Sequence, residues 1–168
     1  MPLFYPPAPT PFVLCDPTSL AAGSSPLPAA GSAYLVGYLL YAQVTVTQMR
    51  TDLSGSPTGN VDMGIYDATG TNGAPNNLLG HTGAIAATVG TFTQNLTANL
   101  VLPPGRYWLA LVDTATDSMQ WRSTNAAGMG PYYKTSATNL TVLPATLGSL
   151  GTVNVAMAIE ALLLNNFS

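Results

Sequence analysis

The chain has very few of the side chains that do chemistry near neutral pH. Its 168 residues include four Lys and Arg, seven Asp and Glu, one His and one Cys. Acid–base and nucleophilic catalysis draw on those residue types, so the composition argues against an enzyme. A single cysteine, Cys15, excludes an intrachain disulfide. It reads as a small packed thiol, because the lone histidine, His81, stands in a Gly-rich stretch with nothing to mark it as a partner. One Cys and one His do not close a zinc site. No phosphate loop or dinucleotide fingerprint occurs, and no cofactor is expected.

The shortage of positive charge has its own consequences. Arg50, Arg106, Arg122 and Lys134 are scattered and form no basic patch. Nucleic-acid binding needs clustered cations, so it is not expected. The longest mostly apolar run, Val153 to Leu164, contains Asn154 and Glu160. It falls short of the roughly 20 residues that span a bilayer. The first residues have no positive stretch and are interrupted by proline from residue 2, unlike a secretory signal.

What is present is apolar and uncharged. Hydrophobic residues make up 47% and charged residues 7%, against about 25% charged in a typical soluble domain. A surface so poor in charge favours association. Much of it is therefore expected to lie in an assembly or under Thr, Ser and Asn.

Residues 1–31 hold eight of the fourteen prolines, interleaved with apolar Leu3, Phe4, Tyr5 and Phe12. Pro-rich chain is extended and does not enter the middle of a sheet. This segment reads as an arm that packs along its own domain or lies on a neighbouring subunit. From residue 32 a single domain is expected. Val44 and Val46 alternate with Thr45 and Thr47, and Val61, Met63 and Ile65 alternate with Asp62, Gly64 and Tyr66, as in half-buried strands. Ala33 to Tyr41 is more continuously apolar, a central strand or a helical turn with Gly37 against the helix. Thr71 to Gly80 reads as a loop. Residues 91–102 place Phe92, Leu96, Ala98 and Leu100 at even spacing, and Pro103, Pro104 and Gly105 then turn the chain. In the next strand Tyr107, Leu109 and Leu111 share one face and Trp108, Ala110 and Val112 the other, which predicts an interior strand. The end of the chain, with Val153, Val155, Met157 and Ile159 at period two, reads as a strand. Eight or nine short strands punctuated by turns predict an all-β, antiparallel β-sandwich.

Two constellations merit weighing. Asp62, Asp67, Asp113 and Asp117 lie near loops. Asp67 and Asp113 would approach each other if their strands were neighbours, but a calcium site wants several converging oxygens. Turn-capping is the simpler role, and no metal is expected. Among the aromatics, Trp108 belongs to the core. Trp121, Tyr132 and Tyr133 are the candidates for stacking against a sugar.

The stretch from 61 to 113 carries GIYD (64–67), a loop with Pro and Leu-Leu, and PGRYWLAL (104–111). It resembles jelly-roll modules of bacteriophage virion proteins and of some bacterial surface proteins, over about a third of the chain. The resemblance implies a jelly-roll-like sandwich and a non-enzymatic structural protein on the virion surface. Capsid decoration, or cement, is the first expectation. The implied partners are copies of itself as a homotrimer, and the major capsid protein or other virion proteins, with Leu3, Phe4, Tyr5 and Phe12 as arm anchors. The alternative is a tail or fibre component that binds a carbohydrate or receptor through Trp121, Tyr132 and Tyr133.

Overall fold

The computed structural model describes residues 12–13, 22–26, 29–123, 132–135, 139–148, 150–152, 155–157 and 159–164. At 12–13, 22–26, 119–123, 132–135, 152, 155–157 and 159–164 it describes backbone alone. In chain order the strands are β1 (Phe12–Val13), β2 (Ala22–Pro26), β3 (Ala33–Leu40), β4 (Val44–Ser54) and β5 (Asn60–Asp67). There follow β6 (Leu78–His81), β7 (Ile85–Ala86), β8 (Gly90–Leu102), β9 (Gly105–Asp113) and β10 (Ser118–Ser123). The last are β11 (Tyr132–Thr135), β12 (Leu150–Thr152), β13 (Val155–Met157) and β14 (Ile159–Leu164). Among the described residues there is no α-helix. The fold is the expected all-β sandwich of antiparallel sheets.

The first sheet runs β1-β14-β4-β10-β13, with β2 added on β10 and β8 on β4. The second runs β12-β11-β3-β9-β5-β6, with β7 added on β5. Five connections whose residues are all described cross between the sheets, 87–89 from β7 to β8 among them. Residues 41–43 and Pro103–Pro104 cross at one end, here the proline end, where Leu40 pairs with Gly105 and Val44 with Leu102. Residues 55–59 and 114–117 cross at the other, the aspartate end, where Val61 pairs with Asp113.

Strand parity decides what lies between the sheets. Val46 and Met49 of β4, Met63 and Ile65 of β5, Phe92 of β8, and Leu109 and Leu111 of β9 are buried there together. Their β-branched, aromatic and long apolar side chains fit a pleated, close-packed layer. The opposite face of the second sheet is covered as well. Leu35, Tyr66, Trp108, Ala110 and Val112 form a second cluster with Leu143, flanked by Leu78, Leu140, Leu147 and Leu150. The segment 139–148 lies over this face. It is fixed by backbone bonds from Leu78 N–H to Ala145 O (2.9 Å), Leu147 N–H to Asn76 O (3.2 Å) and Leu140 N–H to Gly31 O (2.9 Å). An antiparallel sheet usually leaves one face to solvent; here β9 is apolar on both faces because both are covered.

β3 is the central strand suggested by its composition, paired with β9 and β11. Gly37 stands opposite Trp108, and a Cβ there would meet the indole ring at 3.0 Å. Two expectations fail locally. Leu78–Gly80, read as loop, belongs to β6 and pairs with β5. The even spacing of 91–102 holds for Phe92, Leu96 and Leu100, which pack in one core, and fails at Ala98, beside a bulge where Val46 pairs with Leu100 and Gln48 with Asn95. Residues 96–99 therefore oppose a single residue, Leu96 turns into the core, and Ala98 is exposed.

Leu111, fully buried between the sheets, provides a measure of the core. Leu111→Ala is expected to cost about 2–5 kcal/mol, since it leaves a cavity in a rigid layer. Val89→Ala, at a residue 65% exposed, is expected to stay within about 0.5 kcal/mol. Urea unfolding of both variants, with unchanged slope, measures the contrast.

Candidate functional site

The residues singled out from sequence fall into two groups. Leu3, Phe4 and Tyr5 lie outside the described residues. Phe12 is placed by backbone pairing with Leu163 of β14. Trp121 lies within β10, opposite Gly23 of β2 and Met157 of β13. Tyr132 pairs with Val36, and Tyr133 with both Leu35 and Thr152. The two strands that carry these aromatics belong to different sheets. Their side chains, like that of Phe12, lie outside the description.

Asp62, Asp67, Asp113 and Asp117 are described with their side chains, and each is engaged in the fold. Asp62 has the outer parity of β5 and is fully buried under Leu143. Its Oδ2 accepts Leu143 N–H at 2.9 Å and lies 2.9 Å from His81 Nδ1. Its Oδ1 accepts the Thr82 hydroxyl at 3.2 Å. Thr82 Oγ1 also contacts Gly83 O at 3.1 Å and accepts Met63 N–H at 3.0 Å. An imidazole held by a carboxylate is half of a general-base arrangement. The nearby hydroxyl, however, is tied to a carboxylate and to backbone. Chemically, the cluster is a clip that satisfies buried donors and fixes segment 139–148 to the sheet. Tyr66 adds a second tie, its hydroxyl donating to Pro144 O at 2.6 Å. Burial, with the Asp62 charge behind it, pushes the Tyr66 phenol up from its ordinary value.

Asp67 ends β5 at the proline end. Its Oδ1 accepts Thr69 N–H, Thr69 hydroxyl and Asn77 N–H at 3.3, 2.9 and 3.0 Å, and its Oδ2 accepts Asn77 Nδ2–H at 2.8 Å. Partial burial would raise this carboxyl, but the bonds from Asn77 and Thr69 outweigh it and hold it below its ordinary value. The ordered loop 68–77 returns to the core at Trp108, whose indole N–H donates to Gly73 O at 3.0 Å. The Arg106 guanidinium lies 5.0 Å from the same ring, a cation–π distance.

Asp67 and Asp113 do not meet, although β5 and β9 are neighbours. In the antiparallel register Asp67 pairs with Tyr107 and Asp113 with Val61, at opposite ends of the strands. Asp113 stands instead beside Asp117 at the aspartate end, where Thr58 N–H and Gly59 N–H donate to Asp117 at 2.9 and 2.8 Å. Among the described residues no group of three or more His, Cys, Asp or Glu could hold a metal ion.

The proline end has a different surface. Leu39 is 49% exposed, Tyr41 86% and Val101 56%, and Pro103 and Pro104 are exposed between them. The turn beneath is stiff, because Tyr107 hydroxyl donates to Pro103 O at 2.9 Å. Sequence reasoning missed this site, since Leu39 and Val101 sit inside apolar runs that look like core. It also missed the Asp62–His81 contact, which links residues 19 apart through a strand taken for a loop. No family model matches the chain, and no curated protein matches it.

Asp62→Ala is expected to leave the Leu143 N–H buried without its acceptor and to remove the Thr82 and His81 contacts. The expected cost is about 2–4 kcal/mol. Amide exchange should quicken at Leu143 and stay unchanged at Thr114, whose N–H bonds to Asn60 O at the far end. Equal acceleration at both amides would mean that the clip is no local device.

Proposed function

We propose that this chain is a non-enzymatic structural protein of a bacteriophage virion surface, of the capsid-decoration kind, which associates through its proline end and N-terminal arm. The observation that carries the reading is the contrast between the two kinds of side chain. The scarce carboxylates Asp62, Asp67 and Asp117 accept hydrogen bonds that hold loops to sheets. Three of the exposed large apolar side chains, Leu39, Tyr41 and Val101, are meanwhile gathered around one end, whereas Leu79, Val89 and Val142 are exposed singly elsewhere. Exposed apolar groups on a stiff turn suit contact with another protein. The low charge of the chain removes much of the repulsion between closely packed copies. The motif-level resemblance to phage jelly-roll modules supplies the virion setting, the homotrimer and the capsid partner.

For the 168-residue chain, native mass by light scattering is expected to be that of a trimer. Tyr41→Ser, or the pair Leu3→Ser and Phe4→Ser, should weaken assembly tenfold or more in dissociation constant, as expected for loss of a buried aromatic or apolar anchor. The unfolding midpoint of Tyr41→Ser should barely move. A chain that stays monomeric, or a trimer indifferent to both sets of substitutions, overturns this reading.

A further inference from the structure

Asp113 has the same parity as Leu109 and Leu111, so it points inward at the aspartate end, and it is fully buried. Asp117, four residues on, is 7% exposed. The donors around the pair are unevenly shared. Asp117 takes Thr58 N–H at 2.9 and 3.1 Å on its two oxygens, Gly59 N–H at 2.8 Å, and lies 3.3 Å from the Thr58 hydroxyl. Asp113 Oδ1 takes Ala115 N–H at 3.0 Å. Asp113 Oδ2 is buried with no hydrogen-bond partner. A buried carboxylate oxygen without a donor is strongly disfavoured, so either a cation faces it or the carboxyl carries a proton.

Among the described residues no basic side chain pairs with Asp113. β5 brings Val61 opposite it, the 55–59 crossing brings Thr58 and Gly59, and segment 29–32 brings Gly31 N–H, bonded to Asp113 O at 2.7 Å. Its own loop brings Ala115 and Asp117. Asp117 is the charged group that acts on it. A calcium ion would ask for six to eight oxygens, whereas the groups that converge here are N–H donors. Space is also closed, because a Cβ on Gly59 would overlap Asp113 Oδ1 and lie 2.9 Å from the Ala115 Cβ. A proton needs neither room nor further ligands.

We propose that Asp113 and Asp117 hold one proton between them, a carboxyl–carboxylate clasp that fastens the end of β9 to the side chain on which the 55–59 crossing is held, closed at mildly acidic pH and loosened towards neutral pH. Two carboxyls in one site do not ionise together easily. Burial, and then the charge and side-chain hydrogen bonding of Asp117, push the Asp113 carboxyl up to about 6 against the pull of the Ala115 and Asp117 backbone N–H groups. The sign follows from linkage. The folded chain keeps a proton that the unfolded chain, with its carboxyl near 3.8, has already lost. The stabilisation is complete below the unfolded value and is lost as pH rises through about 6. Over that window the unfolding equilibrium constant should rise on the order of a hundredfold through this group.

The test uses the full-length chain and Asp113→Asn, whose amide donates towards Asp117 at every pH. Between about pH 4.5 and 7.5 the wild-type thermal midpoint should fall relative to that of Asp113→Asn, and the variant should be the more stable at the upper limit. Carboxyl-carbon NMR of the wild type reads the same group without any substitution, and Asp113 should titrate near 6. Millimolar calcium at pH 7.5 should leave the midpoint unchanged. Three results would each overturn the clasp: an Asp113 carbon that titrates below about pH 4.5, a variant that keeps the wild-type slope, or a calcium-dependent rise in midpoint that Asp113→Asn abolishes. The last would make the occupant a cation.

Discussion

The second sheet is apolar on both faces, and much of the rest of the structure follows from that constraint. One face is covered by the first sheet, as in any sandwich. The other carries Leu35, Tyr66, Trp108, Ala110 and Val112, too much apolar surface to leave in water. Chain without regular structure has to cover it, and such chain brings backbone polar groups that need partners. Asp62 and the Tyr66 hydroxyl are placed where Leu143 N–H and Pro144 O require them. Loop 68–77 is fastened likewise by Asp67 and by Trp108 Nε1–H. The buried polar groups are thus consequences of the apolar face they help to cover.

Crossing between the sheets poses a second problem, and the two ends solve it differently. At the proline end the turn 103–104 is stiff by covalent constraint and needs only the Tyr107 hydroxyl on Pro103 O. Its outer side chains are therefore free to be apolar and exposed. At the aspartate end the crossings 55–59 and 114–117 have no proline pair to stiffen them, apart from Pro57 in the first. They are joined by carboxylates instead. On the proposed readings, one end presents a surface for contact, and the other has a closure that depends on protonation.

The sandwich was legible wherever one strand's own pattern decided its fate. The alternation of β4 and the two apolar faces of β9 identify a half-covered and a doubly covered strand without reference to neighbours. β8 was legible at Phe92, Leu96, Leu100 and Leu102, which keep one parity into the core, but nothing local signals the bulge that leaves Ala98 exposed. The strand β6 was hidden by the Pro, Asn and Gly that precede it. The Asp62–His81 contact and the separation of Asp67 from Asp113 depend on register between strands, which no single segment encodes. The Asp113–Asp117 pair was nearer to the surface of the sequence, since DTATD places two carboxyls on one short loop after an interior strand. Their mutual approach follows from the Asp113 side chain pointing inward, which strand parity alone indicates.

The scarcity of charge also bears on how such a chain would associate. Charged partners are steered together from a distance, and long-range steering raises association rates well above a neutral value of about 10⁵–10⁶ per molar per second. A formal net charge of −3 over 168 residues, with Arg106 lying over Trp108, leaves little for steering. Affinity at the proline end would have to come from apolar area on a turn that is already ordered, so that little entropy is lost on docking. On the proposed reading, assembly should be slow to form and slow to dissociate, and its association rate should change less than about threefold between 50 and 500 mM salt. Stopped-flow mixing at several salt concentrations measures this directly. A rate that fell steeply with salt would instead place the contact on the few charged side chains, and would remove Leu39, Tyr41 and Val101 from its centre.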